Sequence, residues 1–225
     1  TVGKIFVNDR HINVTGEGYV PTGDFTEKDQ LIELKSGEKE QLVGDQDLDL
    51  VGKISTFTAI ADFDKSKEDG WRLESGDPTE AALSIMGQKM GMEKVDLENK
   101  FPKVLEIPFN MENKFHATIN EIGDSRMLSV AGGPEAILSR CTTVWKNGQR
   151  RKLDDDERNH IESVLHDITS QGYRALALAA NFEPHKDVSG DNMPELTFVG
   201  FVGISDAIRP EVYDSVVKAK EANIK

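Results

Sequence analysis

The pattern of apolar and polar residues along the chain predicts short strands interspersed with a few amphipathic helices. Strand-like runs occupy residues 4–7, 11–14, 103–109, 114–119, 127–130, 173–180 and 196–204. Helices mixed with groups of neighbouring short strands are typical of an α+β fold. We therefore expect an antiparallel β-sheet flanked by helices.

Apolar residues spaced three or four positions apart indicate the helices. The clearest helix covers residues 154–171, which open with three acidic residues and are followed by Gly172. The same spacing predicts a helix over 47–63, and the tail reads as a further helix over 210–224. The polar residues 64–70 predict a loop.

A helix predicted over residues 78–90 has the strongest start signal. Asp77 can cap it, Pro78 suits the first helical position, and Glu80 stands at the capping-box position. A plain helix start is the ordinary interpretation of this pattern. The functional alternative is that Thr79 or Glu80 presents oxygen atoms to a ligand amine, such as the exocyclic amine of adenine.

Composition and charge exclude several classes of partner. The 225 residues include 27 Lys and Arg against 40 Asp and Glu, a formal net charge of −13, which argues against binding to nucleic acid or to an anionic membrane surface. A single cysteine, Cys141, cannot form an internal disulfide, so a reducing, cytosolic setting is expected. There is no run of 18 or more apolar residues, so we expect a soluble chain that does not span a bilayer.

Familiar catalytic and metal-binding motifs find no support in the sequence. The spacing of Gly18 and Gly23 resembles a phosphate loop, but Asp24 and Phe25 stand where Lys and Ser or Thr are needed. The five histidines do not cluster at ligand spacing. We therefore expect neither a metal site nor a catalytic residue in this chain.

Several short patterns remain, and each has an ordinary structural explanation beside a functional one. Phe109, followed five residues later by Lys114, pairs an aromatic stacking surface with a cation, although Phe after Pro at a strand end is often a core residue. Gly132 and Gly133 let a ligand approach the backbone, or simply make a tight turn. Arg174 heads an apolar strand, where it is either a phosphate contact or a rim residue.

The identity and order of these patterns resemble the nucleotide-binding domain of P-type cation-transporting ATPases, of the calcium and sodium–potassium pump type. That family carries Gly-Asp-Pro-Thr-Glu-x-Ala-Leu, Pro-Phe-(x)4-Lys, Lys-Gly-Ala-Pro-Glu, Gly-x-Arg-x-Leu-Ala and Asp-Pro-x-Arg-Pro, in that order. The matching segments are 76–83, 108–114, 131–135, 172–177 and 206–210. Residues 1–2 and 14–19 are also similar to the family, so the resemblance covers essentially the whole chain.

The resemblance implies how an adenine base would be held. Phe109 resembles the aromatic residue that stacks on adenine. Glu80, with Thr79 beside it, resembles the acid near the adenine amine. Lys114 resembles the lysine beside the base and the ribose.

The resemblance also implies which residues would lie near the phosphates and which at the hinge between domains. Gly132 and Gly133 would form the floor of the pocket, and Arg174 would reach the phosphates. Asp206 and Arg209 resemble residues at the hinge with the phosphorylation domain. No catalytic residue and no metal ligand is expected within this chain.

Two positions depart from the family pattern. Ala131 stands where the family motif has its pocket lysine, and Met111 stands where an arginine is common two positions after the stacking Phe. Both changes remove a cation from the expected pocket. The resemblance therefore supports base stacking more strongly than phosphate capture.

The resemblance also implies how the chain is organised. Residues 1–204 would be the nucleotide-binding domain, and 205–225 a short C-terminal piece of the phosphorylation domain with its hinge and first helix. The chain has no Met at position 1, no Asp-Lys-Thr-Gly-Thr phosphoacceptor motif and no magnesium motif of the family. We therefore expect a piece of an integral membrane pump, exposed to the cytoplasm. Its partners would be the phosphorylation and actuator domains and the transmembrane helices, and Mg²⁺ would be bound mainly by those other parts.

The implied function is to bind ATP and to position it for phosphoryl transfer to an aspartate on the adjacent domain, which drives cation transport in the intact ATPase. This chain alone is expected to bind ATP without turning it over. The alternative is a degenerate regulatory or interaction module that has lost nucleotide binding. Ala131 and Met111 favour that alternative. The joint retention of Glu80, Phe109, Lys114 and Arg174 opposes it.

Overall fold

A computed structural model of the protein describes residues 1–36, 42–43, 45–66, 70–205, 216–218 and 220. The two residues predicted at the hinge, Asp206 and Arg209, lie outside the described residues, as does most of the helix predicted over 210–224. Within the described ranges, none of the helices combines the length and the apolar character needed to cross a bilayer.

A large, mainly antiparallel sheet forms the centre of the fold and confirms the predicted α+β class. Its main path runs β4–β3–β2–β1–β15–β14–β11–β10–β9, and β12 adds to β15 as a parallel neighbour that also pairs with β13. Two small strand pairs, β5 with β6 and β7 with β8, lie apart from it. The strands are β1 (Val2–Val7), β2 (Arg10–Val14), β3 (Phe25–Glu27), β4 (Gln30–Leu31), β5 (Lys35–Ser36), β6 (Leu42–Val43), β7 (Ala61–Asp64), β8 (Arg72–Gly76), β9 (Lys103–Ile107), β10 (Phe115–Ile122), β11 (Ser125–Gly132), β12 (Cys141–Lys146), β13 (Gln149–Lys152), β14 (Arg174–Asn181) and β15 (Leu196–Ile204).

Helices cover both faces of this sheet and create one hydrophobic core on each side. Neighbouring residues of β15 show the division, because Val199 and Val202 belong to one core while Phe198 and Phe201 belong to the other, and the β14–β15 register shifts at Val199. The first core contains side chains of α1 and α2, and the second contains side chains of α4 and α5. The helices are α1 (Gln46–Phe57), α2 (Pro78–Lys89), α3 (Lys94–Lys100), α4 (Pro134–Leu138) and α5 (Asp155–Ser170).

The two helices with the strongest start signals begin where the sequence predicts. The Asp77 carboxylate accepts a hydrogen bond from the Thr79 backbone N–H over 2.7 Å and caps α2. Asp154 caps α5 in the same way, by accepting from the Glu157 N–H over 2.9 Å. The first turn of α2 is therefore fixed at the position from which Thr79 and Glu80 project.

The helix predicted over residues 47–63 ends earlier than its apolar spacing suggested. Helix α1 stops at Phe57, where the backbone N–H of Thr58 donates to the Ile54 carbonyl over 3.1 Å and the Thr58 hydroxyl donates to the same carbonyl over 2.8 Å. The chain then enters β7, whose pairing with β8 replaces the end of the predicted helix. Of the loop predicted over 64–70, only Asp64 lies in a strand, whereas residues 65–66 and 70 have no regular structure and 67–69 lie outside the described residues. Ala61 matched the helical period by coincidence, since it lies in a strand.

The first and the last described strands of the large sheet lie side by side. The Thr1 amine donates to the Ser205 carbonyl over 2.8 Å, and the Ser205 N–H donates back to the Thr1 carbonyl over 2.9 Å. Strands β1 and β15 continue this pairing in antiparallel register from Val2 and Ile204. The chain therefore enters and leaves this sheet at one place.

Candidate functional site

A pocket of about 500 Å³ lies between the start of α2, the turn before β10, the end of β11 and the start of β14. Its volume is within the range of small-molecule sites. Met111 and Ala131, the two departures from the family pattern, also line it. All seven residues predicted to contact a nucleotide line this one pocket: Thr79, Glu80, Phe109, Lys114, Gly132, Gly133 and Arg174.

One wall of the pocket is built where the start of α2 meets the start of β14. Arg174 donates from Nη1 to the Thr79 hydroxyl over 3.2 Å. Thr79 is itself held by the cap, because its backbone N–H donates to Asp77. The Arg174 guanidinium is thus anchored at one nitrogen and has further N–H groups available for a ligand.

The Glu80 carboxylate is held by protein groups at both oxygens. Its Oε2 accepts from the Ile60 backbone N–H over 3.1 Å, and its Oε1 lies 3.1 Å from His116 Nδ1. Glu80 therefore ties α2 to the segment entering β7 and to β10. Each oxygen still has a second lone pair, so a ligand amine can share it.

His116 is a pocket residue that the sequence analysis did not single out. It lines the pocket, and only 3% of its surface is exposed. Its Nδ1 faces Glu80, and its Nε2 lies 3.2 Å from Oε1 of Glu106 on β9. No spacing rule finds this cluster, because its three members come from α2, β9 and β10, which meet only in the folded structure.

A chain of ion pairs continues from Glu106 away from the pocket. Lys103 Nζ lies 2.6 Å from Oε2 of Glu106 and 3.7 Å from Glu98, which in turn lies 3.8 Å from Lys94. Bonding to Glu106 raises the pKa of Lys103. Burial raises the pKa of Glu106, but the Lys103 hydrogen bond and charge outweigh it and leave that pKa below its ordinary value. The carboxylate behind His116 is therefore held ionised.

The mouth of the pocket is formed by the turn between β9 and β10. Phe109 is 52% exposed and Met111 is 80% exposed, so the interpretation of Phe109 as a core residue is wrong. Lys114 adopts a left-handed backbone conformation with φ of 58°, and its N–H donates to the Asn110 carbonyl over 2.9 Å. The turn thus presents an aromatic face and an ammonium group to the same opening.

The two glycines at the end of β11 have different local constraints. A Cβ added at Gly132 would lie 2.6 Å from the Phe115 Cα, so this glycine is needed for β10 and β11 to pair closely. A Cβ added at Gly133 would find its nearest neighbour, the Lys114 carbonyl oxygen, at 3.7 Å, which is an ordinary contact. Strand packing therefore already explains Gly132, whereas it does not require Gly133.

A second, larger cleft of about 690 Å³ adjoins the pocket and shares Lys114, Gly133 and Ala175 with it. Arg140, Glu162 and other residues of mixed charge line it. The Arg140 guanidinium donates to the Ala136 carbonyl over 2.7 Å and lies over the Phe115 ring, so that cation is engaged in packing. The predicted site residues converge on the smaller pocket instead.

Comparison with known proteins gives consistent matches. Residues 48–211 match the family model described as the P-type ATPase cytoplasmic domain N. The chain is 32% identical over its whole length to a cation-transporting ATPase, pma1, of Synechocystis, and 30% identical over its whole length to a calcium-transporting ATPase of Bacillus subtilis. It is 34% identical, over 68% of its length, to the potassium-transporting ATPase alpha chain 2 of Cavia porcellus. The chain spans 24% of the length of the first two relatives and 16% of the third.

Proposed function

The chain belongs to the P-type cation-transporting ATPases, as their cytoplasmic domain N, and on that premise we propose that it binds ATP in the pocket lined by Thr79, Phe109 and Arg174. The observation that carries the proposal is the convergence of four sequence motifs, separated by up to 95 residues, on one opening. Each motif has an ordinary structural explanation when it stands alone. Those separate explanations do not account for the fact that all four motifs line one pocket of a size that suits a small ligand.

The base end of the proposed site is the turn that carries Phe109. An aromatic ring with half of its surface exposed at a pocket mouth offers a face on which a base can stack, and such stacking contributes about 1–3 kcal/mol per base. Glu80 would accept from the adenine amine through a lone pair that Ile60 and His116 leave available. Lys114 would lie beside the base and ribose.

The phosphate end of the proposed site relies on few cations. Among the described residues, the cationic side chains that line the pocket are Arg174, which donates to Thr79, and Lys114. Ala131 and Met111 supply no charge. We therefore expect weak binding, with a dissociation constant on the order of 0.1–1 mM or worse, corresponding to about 4–5 kcal/mol after the costs of association.

In the intact protein the domain would act by positioning. It would hold ATP so that an aspartate of the adjacent phosphorylation domain attacks the γ-phosphorus, and this phosphoryl transfer would drive cation transport across a membrane. Residues 1–204 would form the nucleotide-binding domain on the cytoplasmic side, and 205–225, with Asp206 and Arg209 at the hinge, would begin the phosphorylation domain. The actuator domain and the transmembrane helices would be further partners, and Mg²⁺ would be held mainly by those other parts.

A second candidate is a regulatory or interaction module of the same family that no longer binds nucleotide. The neutral side chains of Ala131 and Met111 in the pocket lining favour it.

Calorimetry with ATP, ADP, AMP and GTP distinguishes the two candidate functions. If contacts with the base contribute more to binding than contacts with the phosphates, the dissociation constants of ATP, ADP and AMP lie within about tenfold of one another and GTP binds more weakly. No binding of any of them at 10 mM would favour the second candidate, and ATP binding more than a hundredfold tighter than AMP would contradict our description of the pocket.

A further inference from the structure

We propose that His116 is a positioning residue of this pocket: its protonated ring holds the Glu80 carboxylate at the pocket wall, so nucleotide binding weakens when the ring loses its proton. The inference rests on the proposed function, since it concerns the same pocket. The expected dependence of ATP affinity on pH follows from one buried imidazole that lies between two carboxylates.

The geometry distinguishes the two forms of the ring. A protonated imidazole has an N–H at both nitrogens and donates to Glu80 and to Glu106 at the same time. A neutral imidazole has one N–H, so the lone pair of the other nitrogen then faces a carboxylate oxygen little more than 3 Å away. With only 4% of the side chain exposed, water cannot readily enter to relieve that contact. The neutral form must therefore turn the ring or release one carboxylate.

Glu80 is the carboxylate whose release would alter the pocket. Glu106 has a second strong partner in Lys103, at 2.6 Å, on the side away from the pocket. Besides His116, Glu80 has only the backbone N–H of Ile60 among the hydrogen bonds found in the described part of the chain. Loss of the His116 donor therefore leaves Glu80 less well oriented than Glu106.

The charge of the pocket changes in the same direction. ATP is an anion, and loss of the His116 proton makes the pocket more negative by one unit, which disfavours an anionic ligand. The cationic side chains that line the pocket with His116 are Lys114 and Arg174. The charged groups that surround His116 on the elements packed around it are Asp77 and Glu80 of the α2 region, Lys94 of α3, Lys103 and Glu106 of β9, Lys114 before β10 and Arg174 of β14.

The first test measures ATP affinity at pH 6 and pH 8.5 for the wild type and for His116→Gln. Glutamine can donate to one carboxylate but does not titrate. We expect wild-type affinity to fall about three- to tenfold more than that of the variant, as for loss of one charge-assisted contact at a partly open site. The titration of ATP itself affects both proteins equally. His185→Gln, at an exposed histidine outside the pocket, should keep the wild-type profile.

A second variant keeps the inference testable if His116→Gln folds poorly. Glu106→Gln removes one anionic partner of the ring without changing a residue that lines the pocket. Its loss of affinity should begin at lower pH than in the wild type, because the protonated ring has lost one of its two anionic acceptors. In the wild type, ¹⁵N resonances of the His116 ring should show both nitrogens protonated at pH 6.

The outcomes separate this inference from the proposed function. Wild type that binds ATP at pH 6 with the same pH profile as His116→Gln would overturn the role of His116 and leave the proposed function standing. A neutral ring at pH 6 in the nitrogen spectrum would overturn it as well. Wild type that does not bind ATP even at pH 6 would instead overturn the proposed function.

Discussion

Arg174 and Thr79, 95 residues apart in the chain, are joined by a hydrogen bond of 3.2 Å between the guanidinium and the hydroxyl. The bond connects the first residue of β14 to the first turn of α2, and both residues line the same pocket. It holds a cation at the wall of a pocket that the half-exposed ring of Phe109 also lines.

Phe109→Ala tests the aromatic end. Removing the ring should weaken binding of adenine nucleotides by about five- to 150-fold, which corresponds to the loss of one stacking contact of about 1–3 kcal/mol. Because Phe109 is half exposed, the free energy of unfolding should change by no more than about 0.5 kcal/mol. Val95→Ala, at a residue that is 71% exposed on α3 and does not line the pocket, is the matched control and should leave affinity unchanged. Equal affinity for wild type and Phe109→Ala would show that the base does not stack on this ring.

Ala131→Lys tests the phosphate end. Ala131 is only 5% exposed and lines the pocket next to His116, its neighbour on β10 in the register, so a lysine here must extend its ammonium group into the pocket. With the ammonium group in the pocket, screening by solvent should leave about 0.5–1.5 kcal/mol, or about two- to tenfold tighter ATP binding. Calorimetry of both proteins at matched salt measures it. An unchanged or weaker affinity in a folded variant would mean that position 131 does not face the nucleotide.

The two glycines of the pocket predict opposite results for the same change. Gly132→Ala would force a Cβ against β10 and should destabilise the fold by about 1–3 kcal/mol, whether or not a ligand binds. Gly133→Ala has room for its Cβ and should change the free energy of unfolding by less than about 1 kcal/mol. Urea unfolding measures both. If the two variants were equally stable, close pairing of Phe115 with Gly132 would not be what requires this glycine.

The Glu106–Lys103 pair predicts a pH-dependent stability. The folded pKa of Glu106 is held below its ordinary value of 4.5, so its contribution to stability is complete above that pH and disappears as pH falls through the lower folded value. Lys103→Met should lower the free energy of unfolding by about 0.5–1 kcal/mol at pH 7. It should not change the free energy of unfolding at a pH where Glu106 is protonated in both proteins. Arg126→Met removes a more exposed pair, with Glu121 at 3.6 Å, and should cost less at pH 7. A Lys103→Met cost that persists unchanged in acid would contradict the charge interaction.

The sequence predicted most of the fold where local signals are strong. Helices α2 and α5 have capping residues and buried stripes, and both begin where these signals place them. Helix α3 was missed because its seven residues bury only Leu97, which gives no apolar period. The end of α1 was misplaced because one alanine continued the helical spacing into β7, where pairing with β8 decides the structure.

The candidate site was predictable only as a set of motifs. Their order indicated which residues belong together, and the structure brings those of them that it describes around one pocket. The distinction between Gly132 and Gly133 required the strand register, because both are equally permissive as residues. His116 was missed because its carboxylate partners approach it from α2 and from β9, elements that only the folded structure brings together.

The central claim, that this domain binds ATP in the pocket around Phe109 and Arg174, is tested most directly by following backbone amide resonances during an ATP titration. The account predicts that the first and largest shifts occur at Phe109, Lys114 and Gly132, with a dissociation constant on the order of 0.1–1 mM or somewhat weaker. Residues of β3 and β4, at the far edge of the sheet, should not move. Absence of any shift at 10 mM ATP, or shifts confined to surfaces away from this pocket, would contradict the claim.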